Sequence, residues 1–586
     1  MTILSSLVYS PGWESNFVWL IVISFIFAFA VSYGMGANDA CNDWGTSAYI
    51  LCAIFNTLGA VLLGYKVTET IRTGIVDVTV YDIYVQYEPF NHTYVKVPFC
   101  QTNETIVDLD NTAPTTFAPP DIRNISDNST IIPCARYTSA DFMYGQVGTL
   151  LGVAVFMIVS SIFKIPVSAT HAIVGATLAA TLDLRGTAGI KWAEIGGIVA
   201  SWFISPVLAG FISSVFYTIV KFSVLMRKHT FEAALTLCPV FMAFTLTVNL
   251  FAVIFDGSKY LGFDKLPWWA AALISLGIGI GVGLIIHFPL RGILRRRAIS
   301  LFKEDQEQKA KRAAKEAEEG SQGSNETAQT TLSAASDLGK DEKKKKKRAS
   351  ISIQVKPAEM NGKAKEAAKT NKEKIIDVST VMVNGVAKKL PPGEINPPKG
   401  PWYTFLNKNI PEDPLASKVF NALHMVSASL LSFTHGANDT ANTVGPLVAI
   451  WLTYQTGWAM TDASTRGDMQ LLLAYGAVAM IAGFVTLGYR TIQLIANEIT
   501  SEVSAPSGFT VELGTAFTVL FCAKLGIPVS STHCAVGAVV FVGMTKSTSE
   551  GVSWKVFSKI CVVWLLCFPI SAAISLFMTW LLVTVA

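Results

Sequence analysis

Three short strings occur twice in this chain, in the same order, so the fold must be built from two related halves. GANDACN at Gly36–Asn42 returns as GANDTAN at Gly436–Asn442, and LGYK at Leu63–Lys66 returns as LGYR at Leu487–Arg490. IPVSATHAIVGA at Ile165–Ala176 returns as IPVSSTHCAVGA at Ile527–Ala538. Chance does not repeat three strings in the same order, and a repeat of this kind is a structural unit used twice.

Composition decides what surrounds the two halves. Of 586 residues, 51% are hydrophobic and 15% charged, against about a quarter charged in ordinary soluble domains. A single soluble core is therefore excluded. Phe17 to Ala37 carries no charge, a length that crosses roughly 30 Å of hydrocarbon as a helix. Similar runs recur near 47–65, 143–163, 167–182, 192–220, 231–255, 268–289, 417–434, 444–454, 470–494, 509–523, 534–544 and 556–585. Several are too short to span, as discontinuous transporter helices are. The pattern predicts an all-α integral membrane protein of about ten to twelve transmembrane helices, with discontinuous or re-entrant segments. Met1 to Phe17 lacks the basic start and small-residue cleavage site of a signal peptide, so the first run is expected to remain as a membrane helix. The formal charge of +4 says less than where the charges lie.

Two polar insertions divide the chain. Residues 1–80 form the first part of repeat 1, 81–141 a polar loop, 142–290 the rest of the first membrane half, 291–415 a basic loop and 416–586 the second half. The first loop holds four glycosylation sequons, at Asn91, Asn103, Asn124 and Asn128, with Cys100 and Cys134 as its two cysteines. This points to an oxidising extracellular or lumenal loop closed by one disulfide. The basic loop opens with RGILRRR and contains KKKKKR from Lys343 to Arg348. It has too little apolar surface for a core, and arginines directly after a span mark the cytoplasmic side. It reads as a disordered, solvated loop touching anionic lipid at most, with no nucleic-acid role. Asn325 also stands in a sequon, which a cytoplasmic loop leaves unused.

These assignments set the topology. Two runs before an extracellular loop put the N-terminus outside, so the first GAND-bearing span starts outside and the second starts in the cytoplasm. The halves are inverted, and inverted repeats place a binding site at their interface near the bilayer midplane.

The repeated residues suit two kinds of ion. Asp39 and Asp439 each end an uncharged run, where a charge costs a few kcal/mol or more unless paired. With Asn38, Asn42, Asn438 and Asn442 they offer hard oxygen ligands for a cation such as sodium. Gly36 and Gly436 let the backbone break and expose carbonyls. In the other string a Pro precedes hydroxyls and an imidazole: Ser168, Thr170 and His171, then Ser530, Ser531, Thr532 and His533. That is a helix start, and free N–H groups with hydroxyls at a helix N-terminus bind oxyanions. Two such starts converging from inverted halves would cradle a tetrahedral anion such as phosphate. The bland alternative is Ser and Thr bonded within their own helices and a packed His; the duplication together with an intramembrane Asp in each copy weighs against it.

The duplicated GANDxxN and PVSxTHxxVGA strings resemble the inorganic phosphate transporter family, the PiT type of sodium–phosphate symporter, and the two loops resemble its animal members. The resemblance covers both hydrophobic halves and neither insertion. It implies inverted helical repeats, electrogenic uptake of phosphate with sodium by alternating access at the plasma membrane, no enzymatic activity, no cofactor, and compatibility with a homo-oligomer. Glu512 in SGFTVEL matches the family's key acidic position, and Asp39 and Asp439 match its paired aspartates. Two positions depart from the pattern: Asn56 and Gln146 stand where the family usually carries glutamate. Each keeps an oxygen ligand and loses a negative charge, which bears on sodium stoichiometry and proton coupling. The first half is also short, 28 positions from Gly36 to Gly64 (64 − 36) against 52 from Gly436 to Gly488 (488 − 436). About a dozen residues that usually follow GTS are missing after Ser47, which bears on the first cation-binding region.

Other readings compete. A transport-incompetent phosphate sensor or cell-surface receptor is favoured by Asn56, Gln146 and the short first half, and opposed by the intact aspartates and hydroxyl strings. Proton coupling is an alternative to sodium, since carboxylates serve both. An intramembrane hydrolase with Ser168 or Ser530 as nucleophile lacks the orienting acid and oxyanion hole of one catalytic set.

Overall fold

A computed structural model describes residues 13–38, 46–81, 85–88, 93–96, 139–163, 165–187, 189–255, 257, 262–309, 311, 380–383, 386–389, 412–457, 459, 467–487, 504–546 and 552–585. Asp39, Asn42, the four sequon asparagines of the first loop, Cys100 and Cys134 lie outside the described residues.

Helices dominate. The first half contains α1 (Trp13–Asn38), α2 (Thr46–Glu69), α3 (Ser139–Ile162), α4 (Ala169–Arg185) and α5 (Trp192–Val220). Next come α6 (Thr230–Ile254), α7 (Trp268–His287) and a helix α8 over 291–309. The second half contains α9 (Pro414–His435), a π-helical turn at Gly436–Thr440, α10 (Ala441–Thr456), α11 (Gly467–Thr486), α12 (Ala505–Lys524), α13 (Ser531–Lys546) and α14 (Trp554–Val585). Among the described residues, two antiparallel hairpins interrupt the helices, β1 (Val85–Glu88) with β2 (Thr93–Lys96) and β3 (Thr380–Val383) with β4 (Val386–Lys389). Both lie in the polar insertions.

Among the described residues nine helices are long and apolar enough to cross a membrane: α1, α2, α3, α5, α6, α7, α11, α12 and α14. α9 has the length, at 22 residues, and its hydropathy is lowered by buried Ser427, Ser429, Ser432 and Thr434. The repeated proline strings begin the short helices, α4 with 17 residues and α13 with 16. Local chemistry sets their limits. Ser168 caps α4, accepting from the His171 N–H, and Gly186 closes it with φ +62°. α12 opens on a capping box between Ser504 and Ser507 with Pro506 in its first turn.

The chain divides into two compact units. The larger comprises Met1–Lys221, Pro239–Leu284 and Asn421–Ala586, and its contacts exchange between the halves. α5 packs on α13 as α14 packs on α4, and α5 packs on α12 as α14 packs on α3. Glycines mark the crossings. A Cβ at Gly36 would overlap the Met480 carbonyl, and one at Gly436 the Asn56 carbonyl; Gly483 meets Tyr33 as Gly59 meets Phe433. Gly175 meets the Phe568 carbonyl as Gly537 meets that of Pro206. Small residues allow such backbone approach where no hydrophobic drive pulls helices together. The pairing equates α1 with α9, α2 with α11, α4 with α13 and α5 with α14. Only positions 39–45 separate α1 from α2, whereas the 16-residue α10 stands between α9 and α11, so the 24-residue shortfall (52 − 28) falls in that interval.

α3 and α12 are the most enclosed of the spanning helices, with 72% and 78% of their apolar windows buried, against 22% for α7 and 28% for α14. The enclosed pair leads into the proline strings. The outward-facing pair shows large apolar side chains such as Trp268, Leu273, Leu565 and Phe577, as a lipid-facing surface does.

The smaller unit comprises Phe222–Cys238 and Ile285–Phe420. Here the structure corrects the expectation of a loop disordered from 291 onward, because residues 291–309 are helical. Ion pairs tie this helix to its neighbours: Arg291 and Arg295, one turn apart, reach Glu232 at 3.4 and 3.0 Å, and Asp305 takes Lys418 at 2.8 Å. Asp413 caps α9 through the Leu415 N–H and accepts from Thr230 at 2.6 Å.

Candidate functional site

An asparagine of each GAND string bonds to a proline string. In the first half Asn38 donates from Nδ2 to the Ile165 carbonyl at 2.9 Å and accepts from the Val167 N–H at 3.2 Å. In the second half Asn438 donates to the Val529 carbonyl at 2.6 Å. Val167 and Val529 are the same residue of the repeated string, so each asparagine pins the extended stretch that precedes a short helix.

The short-helix starts then interlock across the halves. Thr170 donates to the Val529 carbonyl at 2.9 Å, and Asn442 donates to the Thr170 hydroxyl at 2.9 Å. Asp439 is 2% exposed and sits at the start of α13: its Oδ2 accepts from Ser531 at 2.7 Å and its Oδ1 from Asn438 at 2.8 Å. A carboxylate there is favoured by the helix dipole. The amide oxygens of Asn438 and Asn442 are buried without a hydrogen-bond partner. A buried carboxylate flanked by two unspent hard oxygens is a donor set that fits an alkali cation.

Ser168 and Ser530 act first as caps, each accepting at 3.3 Å from the N–H of the histidine three residues on. The histidines turn their rings toward each other. His171 and His533 lie 4.5 Å apart, His171 lies 3.7 Å from Trp202, and His533 stacks on Trp564 at 3.6 Å. Nδ1 of His171 faces the Trp564 carbonyl at 3.2 Å, and Nδ1 of His533 faces Ser530 Oγ at 2.6 Å. Thr532 is 9% exposed, the least enclosed of the group.

Glu512, on α12, is held from α9: His424 Nε2 lies 2.7 Å from its Oε1, and Ser427 donates to its Oε2 at 2.5 Å. Gln146 is buried on α3. Asn56 is buried on α2 with an unpartnered Oδ1, lining a small pocket with Gly36, Cys52, Ser432, His435 and Met480. The structure thus brings Asn38, Asn438, Asp439, Asn442, Thr170 and Ser531 into bonded contact with one another or with the proline strings, while Glu512 makes its bonds to α9.

Reading the sequence alone missed the tryptophans and the Glu512 partners. A signal for the tryptophans was present: each follows its own half's histidine by the same interval (202 − 171 and 564 − 533, both 31). Nothing comparable pointed to His424, whose bond to Glu512 spans 88 positions.

The profile of the Phosphate transporter family matches residues 122–575. The chain belongs to that family. It is similar to the sodium-dependent phosphate transporter 1-B of Danio rerio, 30% identical with 98% of this chain and 97% of that one covered. It is also similar to the sodium-dependent phosphate transporter 1 of Mus musculus, 27% identical with 95% and 94% covered. A solved structure described as the sodium-dependent phosphate transporter shares the fold, with a TM-score of 0.61 at 20% identity over 97% of this chain and 100% of that one. The chain is therefore a multi-pass membrane protein of the phosphate transporter family.

Proposed function

We propose that this chain imports inorganic phosphate together with sodium across the plasma membrane by alternating access, with its N-terminus outside and no catalytic activity. The observation that carries the reading is the interlock of one short-helix start from each half, bonded through Thr170, Val529 and Asn442, with the Asp439 carboxylate at its edge. The relatives named for sodium-dependent phosphate transport support the ion pair.

Sodium is assigned to Asp439 and the spare oxygens of Asn438 and Asn442, and in the first half to Asn38, Asp39 and Asn42, with Glu512, Asn56 and Gln146 tuning the coupling. The cation offsets the buried negative charge and brings positive potential to the place where phosphate arrives. Phosphate is assigned to the N-termini of α4 and α13, met by backbone N–H groups and by Ser168, Thr170, Ser530, Ser531 and Thr532. His171 and His533 border it. Loading requires the Thr170 and Ser531 hydroxyls to exchange their protein acceptors for the anion. Rocking of one half against the other then moves access from one side to the other. The lipid bilayer is the working medium, and a homo-oligomer is compatible with the outward faces of α7 and α14.

The test is uptake of radiolabelled phosphate by cells expressing the chain, with sodium outside and then with choline replacing it. Saturable uptake lost in choline supports the reading. Equal uptake in choline at pH 6 replaces sodium by protons, and no uptake from protein delivered to the surface overturns transport in favour of sensing.

A further inference from the structure

Glu512 does not stand alone in its helix. The imidazole of His424 sits directly over Gly508, so that a Cβ there would come within 2.9 Å of its Cε1 and 3.2 Å of its Nε2. Gly508 precedes Glu512 by four residues, one turn along the same face of α12. The missing side chain leaves a seat for the ring, and the seated ring presents Nε2 to Oε1 of the carboxylate at 2.7 Å. Ser427 lies three residues after His424 on the same face of α9 and takes the other oxygen at 2.5 Å. The side chains of His424 and Glu512 are 13% and 11% exposed.

We infer that His424 is the positioning residue for Glu512, seated by Gly508 and assisted by Ser427, and that it sets the affinity for the coupling cation. The inference rests on the proposed role of Glu512 in sodium coupling. A carboxylate has about four lone-pair directions, and α9 occupies one on each oxygen, so the remaining directions are fixed in space. α9 runs straight into the π turn that carries Asn438 and Asp439. The same helix therefore orients Glu512 from its middle and Asp439 from its end, which ties the two carboxylates to one rigid element. On the elements packed against α12, Asp439 accepts from Ser531, Glu69 pairs with Arg72 and Lys546 donates to Ser504, while Lys66 on α2 and Glu194 on α5 are the other charged side chains.

The experiment measures phosphate uptake against sodium concentration in cells expressing the full chain, with surface protein quantified by biotinylation. Loss of a hydrogen bond to a charged group predicts that His424→Leu raises the sodium KM about tenfold, while the phosphate KM at saturating sodium stays within about twofold. Gly508→Ala, which pushes the ring off its seat, shifts sodium KM in the same direction. His424→Gln, which keeps a donor, restores it to within about threefold of the parent. A purely structural role would lower surface protein or maximal rate without separating the two KM values. The inference is overturned if His424→Leu and the parent share one sodium KM while Glu512→Gln abolishes sodium dependence. If Glu512→Gln itself keeps the parental sodium dependence, the assignment of Glu512 fails instead, and the positioning role falls with it.

Discussion

His171 and His533, the same residue of two homologous strings, lie ring to ring with centroids 4.5 Å apart and planes inclined at 51°. Each is backed by a tryptophan of its own half, so four rings run Trp202, His171, His533, Trp564 across the boundary between the repeats. Aromatic contacts of this kind add about 0.5–1.5 kcal/mol each beyond burial.

The stack makes the histidines a clasp first. His533→Ala should remove two ring contacts and lower thermal stability in detergent by about 1–3 kcal/mol, with the phosphate KM changed by less than about threefold. His533→Phe should recover most of the stability. A tenfold rise in phosphate KM in both variants would instead make the imidazole a direct ligand.

Asp439 is buried and accepts hydrogen bonds from Ser531 and Asn438. Asp439→Asn should keep the shape and lose the charge, leaving surface delivery normal and sodium-stimulated uptake below about a tenth of the parent, the scale of a lost charge-assisted interaction. Uptake equal to the parent at every sodium concentration would remove Asp439 from the coupling site.

Ser168 and Ser530 serve as helix caps, so the double change to Ala should cost about 1 kcal/mol per cap as well as raise the phosphate KM. Thermal melting and uptake read the two effects separately. A stability loss with an unchanged KM would leave the serines as caps only.

The glycines at helix crossings can be told from those that face open space. Gly36→Ala or Gly483→Ala drives a methyl into a backbone carbonyl and should lower stability by about 1–3 kcal/mol, seen as reduced surface protein. Gly196→Ala and Gly277→Ala meet nothing within 4 Å and should stay within about 0.5 kcal/mol of the parent. Equal surface levels for both groups would contradict the crossings.

The extracellular placement of the first loop is tested by glycosidase. Treatment should shift the mobility of the parent, and Gln at Asn91, Asn103, Asn124 and Asn128 together should abolish the shift. A shift that survives and is lost only with Asn325→Gln would reverse the topology.

The sequence by itself determined the membrane-spanning helices, the twofold repetition and the residue types of the site, because these rest on local quantities. A helix satisfies its own hydrogen bonds, an uncharged run of sufficient length partitions into lipid, and a serine before a helix caps it wherever that helix goes. Asp439 was legible for the same reason: a carboxylate ending an uncharged run needs a partner regardless of the partner's identity. Tertiary structure alone decided who the partners are. Thr170 reaches Val529 across 359 positions and receives Asn442 from 272 positions away, and helix packing sets such distances independently of chain separation. The seating of His424 over Gly508, the four-ring stack and the helical start of the basic loop belong to the same class. Each depends on a side chain meeting a surface that another segment supplies, and only the folded arrangement of those segments defines that surface.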